Sequence, residues 1–255
     1  MADITNRYQG AVASSGKRNW RGDQTTVPQG GQSIYESSSV QLAELGERAV
    51  LGDRVFRYAK AGDAIAAGGV ASREGENIID VTAGGAVASG ARAFTWYAAT
   101  AMSKDTYAEG YLYAQSGTAA NLGYTYRIKT HNAITATTNG TLYLYDELKV
   151  TVNTADKWSV IQNPYVSLKT GGTSVAMGIA PIAVTTGDYF WLQTWGPCAA
   201  KCAGGTAGGD LQVSADQLVA KILATTSGAA VGKIATSMQV QTASEKGMVF
   251  LTIAP

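Results

Sequence analysis

A single histidine limits the acid-base and metal chemistry that this chain of 255 residues could carry. His131 closes a strand-like run and is followed by Asn132. Any site with two histidine ligands is excluded, and every Ser-His or Cys-His scheme would depend on this one imidazole. No partner motif surrounds it, so the sequence predicts an ordinary turn or surface histidine. We expect the substitution His131→Ala to leave the function of the protein intact.

The two cysteines are the next candidates for a metal or redox site. Cys198 and Cys202 lie four residues apart, between Pro197 and Gly204. Two sulfur ligands alone do not make a metal site, and a disulfide across so short a loop is geometrically demanding. The pattern favours small buried or loop thiols, and a disulfide formed after cell lysis is the alternative. The sequence therefore predicts no metal and no cofactor.

Paired carboxylates that would cleave a glycosidic bond are not recognisable in the sequence. Asp146 and Glu147 are adjacent on a predicted turn, so their side chains are expected to point apart. No G-x-S-x-G elbow is present, and the glycines from 204 to 209 lack the following GK[ST] of a phosphate-binding loop. We therefore predict a non-enzymatic protein with no catalytic residues.

Tyrosine and tryptophan side chains recur on the predicted strands and could stack on sugars or bases. On strand faces, however, tyrosines more often form cross-strand packing pairs with their hydroxyls at the rim. Packing or subunit contact is the favoured role, and glycan binding is the alternative. The set comprises Trp96, Tyr97, Tyr111, Tyr113, Tyr124, Tyr126, Tyr143 and Tyr145.

The composition indicates a folded protein with little net charge. Hydrophobic residues make up 45% of the chain, enough for a real core. The 20 Lys and Arg against 19 Asp and Glu leave a formal net charge of +1, so no global field draws the chain to nucleic acid. The first residues lack the apolar core of a signal peptide, and no run of about 18 apolar residues occurs. We expect a soluble protein made in the cytoplasm, with neither a membrane nor a nucleic acid as partner.

The elements that position these residues are predicted to be short β-strands. Thr and Tyr favour strands, and the 30 glycines punctuate turns. Residues 47–60 contain two strand-like runs around Gly52 and Asp53, the pattern of a hairpin. Further candidate strands, without helical spacing between them, lie at 78–82, 93–97, 110–114, 124–129, 141–145 and 148–152. The pattern predicts an all-β chain of small β-barrel or sandwich units, with helix below the globular average.

A change of unit is predicted after Asn163 and Pro164, so that residues 35–165 form one β-rich domain and residues 166–255 a second β-rich unit. Residues 188–195 are apolar on both faces, which indicates a strand in the middle of a sheet. Residues 214–224 could form a short helix or a strand, and we favour the strand. Residues 247–253 predict a buried terminal strand.

Residues 1–34 are predicted to form an extended N-terminal arm, because they are rich in Gly, Ser, Gln and Asn and cannot build a core of their own. Either they are a floppy tail or they order on the surface of a partner. We expect the second, with the arm mobile in the free protein. The contacts would come from the basic and apolar residues Ile4, Arg7, Lys17, Arg18, Trp20 and Arg21.

Six segments, in their order along the chain, resemble those of the capsid decoration proteins of tailed bacteriophages, which are also called cement proteins. The segments are LGERA (45–49), GDRVFRYAKAG (52–62), GYLY (110–113), YTYRIK (124–129), NPY (163–165) and GDYFWLQTWGP (187–197). The likeness spans residues 36–200, and it depends on the order of the segments more than on any one of them.

The resemblance implies a structural subunit on the outer surface of a phage head, made in the host cytoplasm and carried in the virion. It implies a homotrimer that binds the major capsid protein and stabilises contacts between capsomers. Another virion structural subunit, in a tail, neck or fibre, and a polysaccharide-binding virion protein are the alternatives. On this interpretation Arg7, Lys17, Arg18, Trp20 and Arg21 contact the capsid or a neighbouring subunit.

Overall fold

A computed structural model confirms the all-β prediction. It describes residues 17–20, 23–26, 31–73, 77–117, 123–170, 175–203, 210–213, 219–221, 233–240 and 245–255. For the strand residues 17–20, 23–26, 77–81, 210–213 and 219–221, the structure describes the backbone only. Within these residues the regular structure is antiparallel β-sheet, and no α-helix occurs.

The chain forms two compact units. Unit 1 combines residues 1–74 with residues 165–255, and unit 2 comprises residues 75–164. The strands, in chain order, are β1 (Lys17–Trp20), β2 (Asp23–Thr26), β3 (Ser37–Ser38), β4 (Arg48–Leu51), β5 (Arg54–Lys60), β6 (Val70–Arg73), β7 (Asn77–Thr82), β8 (Ala93–Ala98), β9 (Tyr111–Ser116), β10 (Thr125–His131), β11 (Thr138–Leu144), β12 (Lys157–Ile161), β13 (Leu168–Lys169), β14 (Ala176–Ile179), β15 (Tyr189–Lys201), β16 (Asp210–Val213), β17 (Val219–Lys221), β18 (Ala235–Ser237) and β19 (Lys246–Thr252).

Unit 2 is a six-stranded antiparallel sheet that closes into a small barrel. Its strands are hydrogen-bonded in the order β7-β12-β9-β10-β11-β8. The two end strands meet where Ala83, the residue after β7, pairs with Trp96 of β8. The Gly84 N–H also donates to the Thr95 carbonyl at 2.9 Å. Closure leaves no long free strand edge on the described part of this unit.

Alternate residues of the barrel strands fill its interior. On β10, Tyr126 and Ile128 are buried while Thr125 and Lys129 are exposed, as the alternation in the sequence predicted. The centre is aromatic, and the ring centroid of Trp158 lies 5.1 Å from that of Phe94 and 6.3 Å from that of Tyr126. Because each such ring buries roughly 150–250 Å², each of these side chains makes a large contribution to the hydrophobic stabilisation of the unit.

The long strand β15 lies at the centre of unit 1, as its apolar faces predicted. Its first half pairs with β5, and its second half pairs with β19. A bulge separates the halves between Gln193 and Trp195. The buried Gln193 stabilises the bulge, because its Nε2 donates to the carbonyls of Trp195 and Pro197 at 3.1 and 2.8 Å.

The bulge exchanges the two faces of β15. Gln193 and Trp195 are two positions apart and would share one face of a regular strand. Instead, Gln193 pairs with Phe56 and Trp195 pairs with Val55, and these two neighbours on β5 point to opposite faces. The extra residue of the bulge therefore reverses the alternation. Both faces of the first half of β15 are buried, whereas alternate residues of the second half, such as Ala199, reach solvent.

The division of the chain differs from the predicted domains 35–165 and 166–255. The boundary near residue 165 is present, but residues 31–74 belong with the C-terminal part of the chain because β5 pairs with β15. The arm boundary at residue 34 also changes. Gln32 and Ile34 are buried in unit 1, where Ile34 packs in a cluster with Phe56.

One predicted strand is wrong, and other predicted strands are confirmed. Residues 148–152 do not form a strand; instead Leu148 and Val152 are buried and bond with the loop at 87–91. The hairpin predicted at 47–60 is confirmed as β4 and β5, and the terminal strand is confirmed as β19. Of the ambiguous residues 214–224, the described part, 219–221, is a strand, as favoured.

Candidate functional site

His131 is not at the surface as predicted, because the structure buries it completely at the end of β10. Its Nε2 accepts a hydrogen bond from the Tyr107 N–H at 3.0 Å, and its Nδ1 lies 2.8 Å from the Asn132 carbonyl. These partners assign the proton to Nδ1, since a carbonyl can only accept. The histidine therefore ties the loop at 103–110 to the end of β10, which is a structural role.

Asp105 lies in the same loop and completes this connection. Its backbone has a positive φ of 60°, and its carboxylate accepts hydrogen bonds from the Thr130 hydroxyl and the His131 N–H. Burial raises the pKa of Asp105, but the hydrogen bonds from Thr130 and His131 outweigh it, and the pKa lies below its ordinary value. The ionised carboxylate of Asp105 therefore holds this loop in place.

Both cysteines are free and buried, as the sequence favoured. Cys198 is on β15 and Cys202 follows that strand directly, so neither lies in a flexible loop. Burial raises the pKa of Cys198 to about 12, so its thiol stays protonated and unreactive at neutral pH. Within the described residues, no group of three or more His, Cys, Asp or Glu side chains could hold a metal ion.

The predicted contact residues of the N-terminal arm are only partly described. The backbone of Lys17, Arg18 and Trp20 lies on β1, which forms an antiparallel hairpin with β2, and β2 lies beside β4 of unit 1. Arg7 and Arg21 lie outside the described residues, as does Ile4. The hairpin is a feature that composition did not predict.

Residues 31–47 form an ordered loop on one face of unit 1. Ile34 and Ala43 pack on a cluster that contains Tyr58 and Trp191. The Tyr58 hydroxyl donates to Gln32 Oε1 at 2.8 Å and accepts from the Leu42 N–H at 3.0 Å. Burial raises the pKa of Tyr58, which keeps the phenol protonated as a donor. The loop is therefore held by its own buried anchors.

This ordered loop exposes large apolar side chains. Tyr35, Val40 and Leu42 are 57%, 63% and 42% exposed. The exposed carboxylates of Glu36 and Glu44 lie among them in the chain. We call these five residues the loop surface. Clusters of exposed apolar residues with a polar rim are typical of protein contact sites.

A second apolar surface lies on the sheet formed by β15, β19 and β18. Register places Ala199 beside Met248, and Met248 beside Met238, whose N–H donates to the Met248 carbonyl. The next row contains Pro197 and Phe250. A third row adds Trp195, whose ring is perpendicular to that of Phe250 at a centroid distance of 5.8 Å. We call Trp195, Pro197, Ala199, Met238, Met248 and Phe250 the sheet surface.

The sheet surface is unusual because several outward positions of its strands are apolar, as are the buried positions between them. On β19, Val249 and Leu251 point into the core, and Met248, on the outward parity, is 41% exposed. The solvent face of an antiparallel strand is ordinarily polar. The outward positions of these three rows carry methionine and aromatic side chains beside Thr236 and Thr252, and methionine and aromatic residues are enriched in protein contact surfaces.

The barrel carries exposed tyrosines on its outer face. Tyr97, Tyr111 and Tyr143 are exposed, whereas Trp96 and Tyr126 of the same aromatic set are core residues. A row runs from Tyr111 across Arg127 to Tyr145, and the Arg127 guanidinium lies 5.1 Å from the Tyr145 ring. We call Tyr97, Tyr111, Arg127, Tyr143 and Tyr145 the barrel tyrosine face. Such a face could bind a ligand that stacks on aromatic rings, or another protein.

The chain was compared with protein-family models, curated proteins and solved structures, and none of these matches it. Over the described part of the chain, no helix has the length and apolar character needed to cross a membrane. Among the residues whose side chains the structure describes, the candidate contact sites are the loop surface, the sheet surface and the barrel tyrosine face. Spacing in the sequence could reveal the barrel tyrosines, but the sheet surface depends on the register of β15 with β19.

Proposed function

We propose that this protein is a structural virion protein that binds the outer surface of a phage head and stabilises contacts between capsomers. Its partners are the major capsid protein and further copies of itself, in a homotrimer. The resemblance of six ordered segments to decoration proteins supports this assignment. The observation that carries it is the pair of apolar surfaces on unit 1, because a subunit that contacts several neighbours needs several contact surfaces.

The mechanism is preferential binding to the assembled shell. A protein that binds joined capsomers more tightly than separate ones stabilises the joined state by mass action, and needs no chemical step. The N-terminal arm supplies the contact with the shell in this proposal. Trp20 contributes most as an apolar anchor, whereas Arg7, Lys17, Arg18 and Arg21 steer the arm towards acidic groups.

Binding to undecorated heads tests the proposal. The intact chain should bind and should raise the temperature at which the heads open. Deletion of residues 2–30, which retains the buried Gln32 and Ile34, should weaken binding by roughly a hundredfold or more. Trp20→Ala should weaken it by about thirtyfold, and Arg18→Ala by less than about fivefold.

Val175→Asp is the matched control, because Val175 is an exposed apolar residue of unit 1 outside both surfaces. It should bind heads like the intact chain. Failure of the intact chain to bind heads would refute the proposal, and equal binding by the deletion would show that the arm is only a tail. A stained gel of virions separates a decoration protein, present in many copies, from a tail, neck or fibre subunit.

Glycan binding is a second candidate function, favoured by the barrel tyrosine face. Tyrosine rings stack on sugar faces, and Arg127 could pair with a carboxylate of an acidic glycan. On this alternative the purified chain binds alginate, an acidic polysaccharide, more tightly than neutral dextran. The variant Tyr111→Ala should then lose about tenfold in affinity, while Tyr35→Ala in unit 1 should not. Absence of alginate binding by the intact chain removes this alternative.

A further inference from the structure

The loop surface and the sheet surface lie on opposite faces of one sheet. Val55 and Phe56 are consecutive residues of β5 and therefore point to opposite faces. Phe56 belongs to the cluster under the loop, together with Ile34. Val55 pairs with Trp195, the first residue of the sheet surface. Trp195 therefore faces away from the loop, and one contact with a flat partner cannot cover both surfaces.

The two surfaces are complementary in charge as well as in apolar character. The loop surface carries Glu36 and Glu44, both exposed. The sheet surface ends at a cross-strand pair of Lys201 and Lys246, and Glu245 directly precedes Lys246 in the chain. Pairing the lysine end with the acidic loop would place opposite charges around an apolar centre, which favours a specific orientation.

We propose that the loop surface of one copy of this chain binds the sheet surface of a second copy. The contact is heterologous, because each copy contributes a different surface, and such contacts form a ring when the rotation between copies closes. Closure of the ring at three copies rests on the proposed function. Val40 and Leu42 of one copy pack against Met248 and Phe250 of the next.

Light scattering coupled to gel filtration tests the proposal with the full chain and two double variants. Val40→Asp with Leu42→Asp inactivates the loop surface, and Met238→Asp with Met248→Asp inactivates the sheet surface. All four side chains are at least 41% exposed, so their replacement should leave the fold intact. Each variant alone should associate roughly a hundredfold more weakly than the intact chain and elute as a monomer.

The mixture of the two variants gives the decisive result. The loop-inactivated copy retains its sheet surface, and the sheet-inactivated copy retains its loop surface. An equimolar mixture should therefore form a complex of two chains and no larger species. An intact chain that is monomeric overturns the proposal. It is also overturned if either double variant alone keeps the oligomeric state of the intact chain, because that surface would then be dispensable.

Charge reversal provides an independent measurement if the aspartate variants do not fold. Glu36→Lys with Glu44→Lys, and separately Lys201→Glu with Lys246→Glu, should each weaken association on the order of tenfold. Combining all four changes in one chain should restore it. Lack of restoration would contradict the orientation proposed here. Val175→Asp is the control that should leave the oligomer unchanged.

Failure of this inference and failure of the proposed function give different results. Head binding by monomers would retain the decoration role and refute the ring. A ring that does not bind undecorated heads would retain the interface and refute the decoration role.

Discussion

The two units of this protein treat their apolar side chains in opposite ways. Unit 2 closes its sheet into a barrel, and its large aromatic residues, such as Trp158 and Phe94, are enclosed by six strands. Unit 1 keeps an open sheet, divides its buried residues among three clusters and exposes apolar side chains on two faces. A closed barrel satisfies its own strand edges, whereas an open sheet retains faces that a partner can cover. The difference leads us to expect that unit 2 is stabilised by its own core, and it motivates the proposal that unit 1 carries the contacts of assembly.

Loss of a barrel core ring should have the largest effect on stability and should be confined to unit 2. Trp158→Ala removes a fully buried aromatic side chain of the barrel and should lower the free energy of unfolding of unit 2 by about 3–5 kcal/mol. Urea titration followed by near-ultraviolet circular dichroism measures the loss, and limited proteolysis locates it. Simultaneous digestion of both units would contradict the separation between them.

Trp158→Phe is the matched control for this prediction. The Trp158 indole N–H is buried and has no hydrogen-bond partner in the described part of the chain. Replacement by phenylalanine keeps an aromatic ring in place and removes this unpaired donor. The variant should therefore lose much less stability than the alanine variant does.

Gly196, which directly follows the bulge of β15, should be the most sensitive backbone position of unit 1. Gly196 has a φ of +88°, and a Cβ added there would lie 2.4 Å from the Asp53 carbonyl oxygen. Gly196→Ala combines backbone strain with a clash and should cost about 2–4 kcal/mol. Gly52→Ala has a similar φ of +64° but open space around it, so it should cost about 1–2 kcal/mol. Equal costs in chemical denaturation would show that the close approach to Asp53 is unimportant.

His131→Ala should destabilise the barrel without affecting assembly. The substitution leaves the Tyr107 N–H without its acceptor in the barrel interior, at a cost of about 1–3 kcal/mol. Hydrogen exchange at the Tyr107 amide should accelerate, while head binding should stay unchanged, as the sequence predicted. Lys129→Ala, on an exposed position of the same strand, should change stability by less than about 0.5 kcal/mol. Loss of head binding with the fold retained would assign a functional role to the imidazole.

The smallest effect should be the acid dependence contributed by Asp105. Its folded pKa is below the ordinary value of 3.8, so the carboxylate stabilises the folded state above that pH. The contribution is lost as the pH falls through the lower folded pKa. Asp105→Asn should therefore lower the Tm near neutral pH, and the difference from the intact chain should shrink as the pH falls below 3.8. A Tm difference that is independent of pH would mean that the hydrogen-bonding shape of the side chain matters and its charge does not.

Local patterns in the sequence determined much of the secondary structure. Alternation around Tyr126 and Ile128 predicted β10, the turn at Gly52 predicted the hairpin of β4 and β5, and the apolar run at 188–195 predicted a central strand. These features depend on side-chain period and turn chemistry over a few residues, so they can be recognised without knowledge of the partners of each strand.

Tertiary structure alone decided which strands are partners and which faces remain open. Leu148 and Val152 show a strand pattern, yet they lie in a loop that packs into the barrel core and forms backbone hydrogen bonds with the loop at 87–91. His131 ends its strand where polar residues suggest solvent, yet the loop at 103–110 folds over it. The domain division followed from the pairing of β5 with β15, more than a hundred residues apart in the chain.

The bulge at Gln193 to Trp195 is the clearest case of this difference. The sequence predicted an apolar strand at 188–195, but β15 continues to Lys201. One extra residue reverses its faces, and the pairing with β5 and β19 decides where that residue lies. Trp195 and Phe250 therefore became part of an outward surface, although both belong to runs that predict burial. Strand propensity is local, whereas register is set by the summed contacts of distant segments, and the surfaces proposed for assembly depend on register.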